Sequence, residues 1–129
     1  MLEEFTDKVI GTVEQEVTEN DILNIVVTAL EGGSNYWLGL DNTTPEWKDK
    51  PKGEPLSTWA TKILLDGKEV RLYDIEETED VPPLTLPKLL EGIRLNAKHR
   101  PFDANLGDID GACADCIIQY ALFGKVVFG

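Results

Sequence analysis

The chain predicts an α+β domain: a small sheet of about four strands with helices packed against it, in the order β-α-β-α-β-α-α-β. Three observations lead there. Segments with an apolar period of two alternate with segments whose apolar residues recur every three to four positions. Most helical segments begin at a threonine, serine or aspartate and stop at glycine or proline. The closing run GDIDGACADCIIQYALFGKVVFG (Gly107–Gly129) holds a capped helix, a glycine stop and a short apolar strand. With 129 residues, one domain spanning 1–129 is expected, large enough to bury about two thirds of its unfolded surface.

The elements follow in order. Residues 8–17, KVIGTVEQEV, alternate and read as a strand with one wet face. Thr18 caps a helix, and Asp21 three positions on completes a capping box. Ile22, Val26, Ala29 and Leu30 share the inner side of that helix; its β-branched residues leave a strand as the competing reading. Gly32 and Gly33 stop it, and Asn35–Leu40 is a short strand. Residues 41–56 read as a surface loop, rich in proline and lysine. From Ser57 the pattern is helical with Gly67 as its stop, unless Asp66-Gly67 is a hairpin turn and 58–65 a strand. Lys68–Ile75, KEVRLYDI, alternates as a strand. Thr85 caps the next helix, with Pro87 in its first turn and Pro101 as its stop. Asp108 or Asp110 starts the last helix, Gly124 ends it, and Lys125–Phe128 is a terminal strand. So short and apolar an end strand needs a partner, and its open edge predicts a homo-oligomer.

Charge excludes more than it selects. Twenty-four acidic against twelve basic residues give a net charge of −12, which disfavours direct nucleic-acid binding because phosphates are neutralised by lysine and arginine. The acids crowd at Asp74, Glu76, Glu77, Glu79 and Asp80, and around the N-terminus. The balance reverses only between Leu86 and Arg100, where Lys88, Arg94, Lys98 and Arg100 face Glu91 alone. No apolar run approaches the ~18 residues of a membrane span, and the acidic N-terminus is unlike a signal peptide. A cytoplasmic protein is expected.

Catalysis finds little support. The one histidine, His99, stands in a basic KHRP segment, and no phosphate-binding loop, nucleophile elbow or dinucleotide fingerprint occurs. Cys113-Ala-Asp-Cys116 opens a helix, as a redox pair would, but shares a face with Ile117, Tyr120 and Ala121. Two free, inaccessible and metal-free thiols are expected, since a tetrahedral zinc site lacks its other ligands. Asp103, Asn105, Asp108 and Asp110 fail the register of a calcium loop, which needs glycine at the sixth position. No cofactor and no metal are implied. Aromatic rings near cations are a better lead: Tyr36 and Trp37 after the Gly-Gly stop, Arg71 on the strand, and Arg94, Lys98 and Arg100 at a helix end form a candidate site for a planar anion such as a nucleotide. The plainer reading buries the two aromatics and pairs the cations with surplus acids.

EGGSNYW after a capped helix, then LLDGKEVRLYDIEE, LLEGIR and ACADCIIQYALFGKVVFG, resemble a set of small proteins of unassigned function from bacteriophages, prophages and related mobile elements. The likeness covers most of the chain outside 41–56 and implies action in the cytoplasm of a bacterial host. Three functions fit. The first is binding and inhibition of a host defence protein through the acidic surface, with carboxylates standing where DNA phosphates would. The second is sequestration of a phosphate-bearing signalling ligand between subunits. The third is a structural or regulatory interaction.

Overall fold

The computed structural model describes residues 15–129. Helices α1 (Glu19–Thr28), α2 (Leu56–Leu65), α3 (Leu86–His99) and α4 (Gly111–Phe123) enclose one core. The sheet among the described residues is a two-stranded antiparallel ribbon of β1 (Leu38–Leu40) and β2 (Leu72–Asp74). The expected sheet of about four strands, and its order, are therefore not what the described residues form.

The expected strands fare differently. The expected strand at 8–17 lies outside the described residues except for 15–17, which belong to no strand. The segment at 68–75 pairs with β1 in the register Leu38 to Asp74 and Leu40 to Leu72, with Ile75 N–H to Trp37 C=O (2.9 Å) and Asp41 N–H to Arg71 C=O (3.0 Å) closing the ladder. Its other side meets Leu84 through Val70 alone, by two bonds of 2.9 Å. Pro82 and Pro83, which lack N–H donors, come directly before Leu84, so pairing stops at one bridge. At the C-terminus, Lys125–Phe128 is not a strand. A side chain takes the partner's place there: Gln119 Oε1 accepts from the N–H groups of Val127 and Phe128 (2.7 Å each), and its Nε2 donates to Phe128 C=O (3.1 Å). The end-strand edge from which self-pairing was expected does not exist.

Helix boundaries follow local chemistry. Thr18 and Asp21 form the reciprocal box, Asp21 N–H to Thr18 Oγ1 at 3.2 Å and Thr18 N–H to Asp21 Oδ2 at 2.9 Å. The β-branched Ile22, Ile25 and Val26 of α1 are buried in the core, and this burial outweighs their modest helix propensity. The helical alternative for 58–65 is the one adopted, although α2 starts behind Pro55 and carries Ser57 buried inside it rather than as a cap. The 41–56 segment is less superficial than expected, because a 3₁₀ turn at Pro45–Trp47 buries Trp47. Thr85 and Asp110 cap α3 and α4, and Gly124 ends α4 at φ 73°.

Helices α3 and α4 pack together more extensively than any other pair of described elements, and Gly92 lets them approach closely. A Cβ on Gly92 would lie 2.5 Å from Ile117 O and 2.8 Å from the Ala121 Cβ. Gly92→Ala should therefore push the helices apart, at a cost of about 1–3 kcal/mol. Gly32→Ala, where an added methyl meets nothing within 4 Å, should leave the unfolding midpoint unchanged or slightly raised. Thermal denaturation of the two variants checks the contrast.

Candidate functional site

The first centre is a buried carboxylate. After α1, residues Ala29–Gly33 form a wider π turn, closed by Ser34 N–H to Ala29 C=O at 2.8 Å. Gly33 lets that turn press onto the start of α4: a Cβ there would sit 2.2 Å from Gly111 O. The following residues then point at Asp115 on α4. Its Oδ1 accepts from Ser34 Oγ and Trp37 Nε1 (both 2.8 Å), and its Oδ2 from Tyr36 Oη (2.7 Å) and Gln119 Nε2 (3.0 Å). Asp115 lies near the N-terminal end of a helix, where the dipole favours negative charge. Burial, followed by the Asp115 hydrogen bond and charge, pushes the Tyr36 phenol up to about 12 from 10.0.

The sequence-predicted ligand residues fall into separate places. Trp37 is 2 % exposed, its ring stacked on Phe128 (centroids 4.4 Å apart) and tilted against Phe123 (5.7 Å). Tyr36 is half-exposed beside an open depression of about 830 Å³ lined by Glu31, Gly32, Gly33, Gly111, Ala112 and Asp115 among others, with no lysine or arginine among the described residues. Arg94 pairs with Glu91, and Arg100 with Asp103, on and just beyond the last turns of α3; Lys98 is exposed between them. Arg71 stands exposed on the ribbon. The aromatics and the three α3 cations are thus not brought into one cavity. A second hollow of about 510 Å³ contains Trp59, Lys62 and Lys68, whose cations already meet Glu54 and Asp66.

Near Arg100, Cys113 is buried and Cys116 half-buried, both free. Burial pushes both thiols up from their ordinary value, opposite to what a reactive thiolate needs. Among the described residues no group of three or more acidic, cysteine or histidine side chains is arranged to hold a metal ion.

The second centre is the acidic segment. Asp74 is buried (2 % exposed), not part of a wet surface as expected. Its Oδ1 accepts from Glu76 N–H (3.0 Å), and its Oδ2 from Thr78 Oγ1 (2.6 Å), Thr78 N–H (2.9 Å) and Glu79 N–H (3.0 Å). Its carbonyl takes Glu77 N–H (3.0 Å), with Glu77 at φ 57°. The Thr78 hydroxyl first, then these backbone donors, hold the Asp74 carboxyl below its usual range despite opposing desolvation. Glu76, Glu77, Glu79 and Asp80 are exposed and form no ion pair with a described residue.

Sequence reasoning passed over Asp115, Ser34 and Gln119. The available signal was a carboxylate and an amide within an apolar helix, ACADCIIQYALF. No helix among the described residues is long and apolar enough to cross a membrane. Comparison with known protein families, curated proteins and solved structures finds no match for the chain.

Two outcomes follow from the Asp115 network. Gln119→Ala should expose the Val127 and Phe128 amides, speeding their hydrogen exchange roughly tenfold or more relative to the wild type. Spectrophotometric titration should find the Tyr36 phenol ionising at about 12 rather than 10.0. A folded-state pKa above the unfolded one means that the Tyr36 contribution to stability is complete below pH 10.0 and is lost as pH rises through about 12. Asp115→Asn should bring the Tyr36 titration back toward its ordinary value.

Proposed function

We propose that the protein acts without catalysis, as an accessory protein of a phage or mobile element that binds and inhibits a host protein, with a defence protein foremost, through its acidic surface. The observation that supports this most is the grip of Asp74 on residues 76–79. One inward carboxylate collects four hydrogen bonds and fixes the backbone from which Glu76, Glu77, Glu79 and Asp80 project. Carboxylates on a fixed loop lose little freedom on binding, so more of their attraction to a cationic partner is retained. The resemblance of the sequence to phage and mobile-element proteins supports the setting. Capture of a phosphate-bearing ligand, the alternative, gains less: the Trp37 ring is covered by Phe128, and Arg94 and Arg100 are already paired.

Affinity purification from the bacterial host, with mass spectrometry of both proteins and small molecules, tests the reading. A basic host protein should be retained at low salt and weakened as the Debye length shrinks to about 8 Å. Glu76→Gln, Glu77→Gln, Glu79→Gln and Asp80→Asn together should abolish retention. Asp74→Asn, which removes no exposed charge, should weaken it by loosening the loop. Because the folded-state pKa of Asp74 lies below its unfolded value, the grip persists above the ordinary carboxylate range and fails as pH falls through the lowered value. Retention of a nucleotide instead, unaffected by the four neutralising substitutions, would sink the proposal.

A further inference from the structure

We infer that the outer face of the ribbon, centred on Tyr73 and Ile75, is the contact surface, and that its occupant is a basic protein surface that sets apolar or guanidinium groups on this ridge. The inference rests on the function proposed above and assigns it a place.

Alternation along the strand makes the ridge. Val70, Leu72 and Asp74 are buried, whereas Arg71, Tyr73 and Ile75 face outward. Tyr73 is 50 % exposed and Ile75 47 %, so two large side chains with an i, i+2 relation stand uncovered on one face. Neither is on a loose segment. Tyr73 is paired with Gly39, and its ring lies across that glycine: a Cβ on Gly39 would be 2.2 Å from the ring. Ile75 is tied by its N–H to Trp37 C=O (2.9 Å), and Trp37 is itself held in the core. An aromatic already fixed in place loses little entropy on binding, and such side chains dominate interface energetics.

Charge selects the occupant. The ridge runs directly into Glu76, Glu77, Glu79 and Asp80, so an apolar centre is bordered by carboxylates at one end. Arg71 stands at the other end, about 13 Å away along an extended strand. An acidic partner would meet like charge at the loop. A second copy of this chain, at −12, would meet it over most of its surface. A basic partner gains contact with the loop while covering Tyr73 and Ile75, in the apolar-centre, polar-rim arrangement of protein interfaces. The polarity of the ridge also orients it: cations lie over 76–80 and an acceptor over Arg71.

Photocrosslinking in the bacterial host tests this. The photoreactive amino acid p-benzoylphenylalanine is placed at position 73 and, as a control, at 102, where Phe102 is 98 % exposed outside the ridge. Position 73 should crosslink the basic protein that co-purifies with the wild type, and the crosslink should vanish with the four neutralising substitutions at 76, 77, 79 and 80. Tyr73→Ser and Ile75→Ser, checked for an unchanged far-ultraviolet spectrum, should each weaken affinity for that protein by about tenfold or more. An acid-dependent partner that crosslinks at 102 and not at 73, and tolerates both serine variants, overturns the inference while leaving the proposed function standing. A crosslink from position 73 to an acidic protein or to a second copy overturns it as well. Absence of any acid-dependent partner overturns both.

Discussion

Asp115 carries a buried carboxylate on which the arrangement of the chain around α4 depends. Four neutral donors surround it at 2.7–3.0 Å: the Ser34 hydroxyl, the Trp37 indole, the Tyr36 phenol and the Gln119 amide. A charge taken from water is costly unless its oxygens are fully hydrogen-bonded, and hydrogen bonds to an ionised acceptor are stronger than neutral ones. The donors in turn are 78–81 positions away in sequence, except Gln119. The carboxylate therefore joins the end of the α1 segment to the last helix.

From that junction the constraint spreads in two directions. Gln119, held by Asp115, fastens the C-terminal residues with both ends of its amide, and this places Phe128 on one face of Trp37. Trp37, held by its indole, presents its carbonyl to Ile75 and so starts the ribbon. The ribbon positions Asp74 on its inner side and Tyr73 on its outer side, and Asp74 then organises residues 76–79. An inward acid at 115 thus leads through one indole and the first ladder position, Leu38 to Asp74, to a second inward acid.

What was legible in the sequence was local. Thr18 with Asp21, Thr85, Asp110 and Gly124 mark helix ends by chemistry within a few residues of themselves, and the structure uses each one. Apolar alternation was legible too, but it reports a face and not a partner. Val126, Val127 and Phe128 read as a strand because three apolar residues in a row need cover, yet a glutamine side chain takes up their backbone groups where a second strand was expected. At Leu84 the pairing was cut short by the two prolines before it, a stop whose effect appears only once Val70 is known as its partner. Trp37 reads in the sequence as an aromatic suited to ligand stacking, but the ring that stacks on it lies 91 positions away. In the candidate contact surface, the acids were visible as a run, whereas the burial of Asp74 was not: period two puts it on the face of Leu72, but the donors at 76–79 that make a buried carboxylate there tolerable come from the turn that follows.

The loop after Asp74 carries a local cost that the core does not require. Four exposed acids sit within five positions, and Glu77 adopts φ 57°, a conformation that L-residues other than asparagine and aspartate seldom take. Like charges at this spacing repel, and the backbone strain adds to the repulsion. Both are overcome by Asp74, whose carboxylate and carbonyl accept every N–H from 76 to 79. A loop serving only to connect β2 with α3 would be more stable with neutral side chains and a glycine at position 77. Its unfavourable charge density, held in one shape by a buried acid and adjoining two uncovered apolar side chains, is the feature on which the proposed recognition of a cationic surface rests.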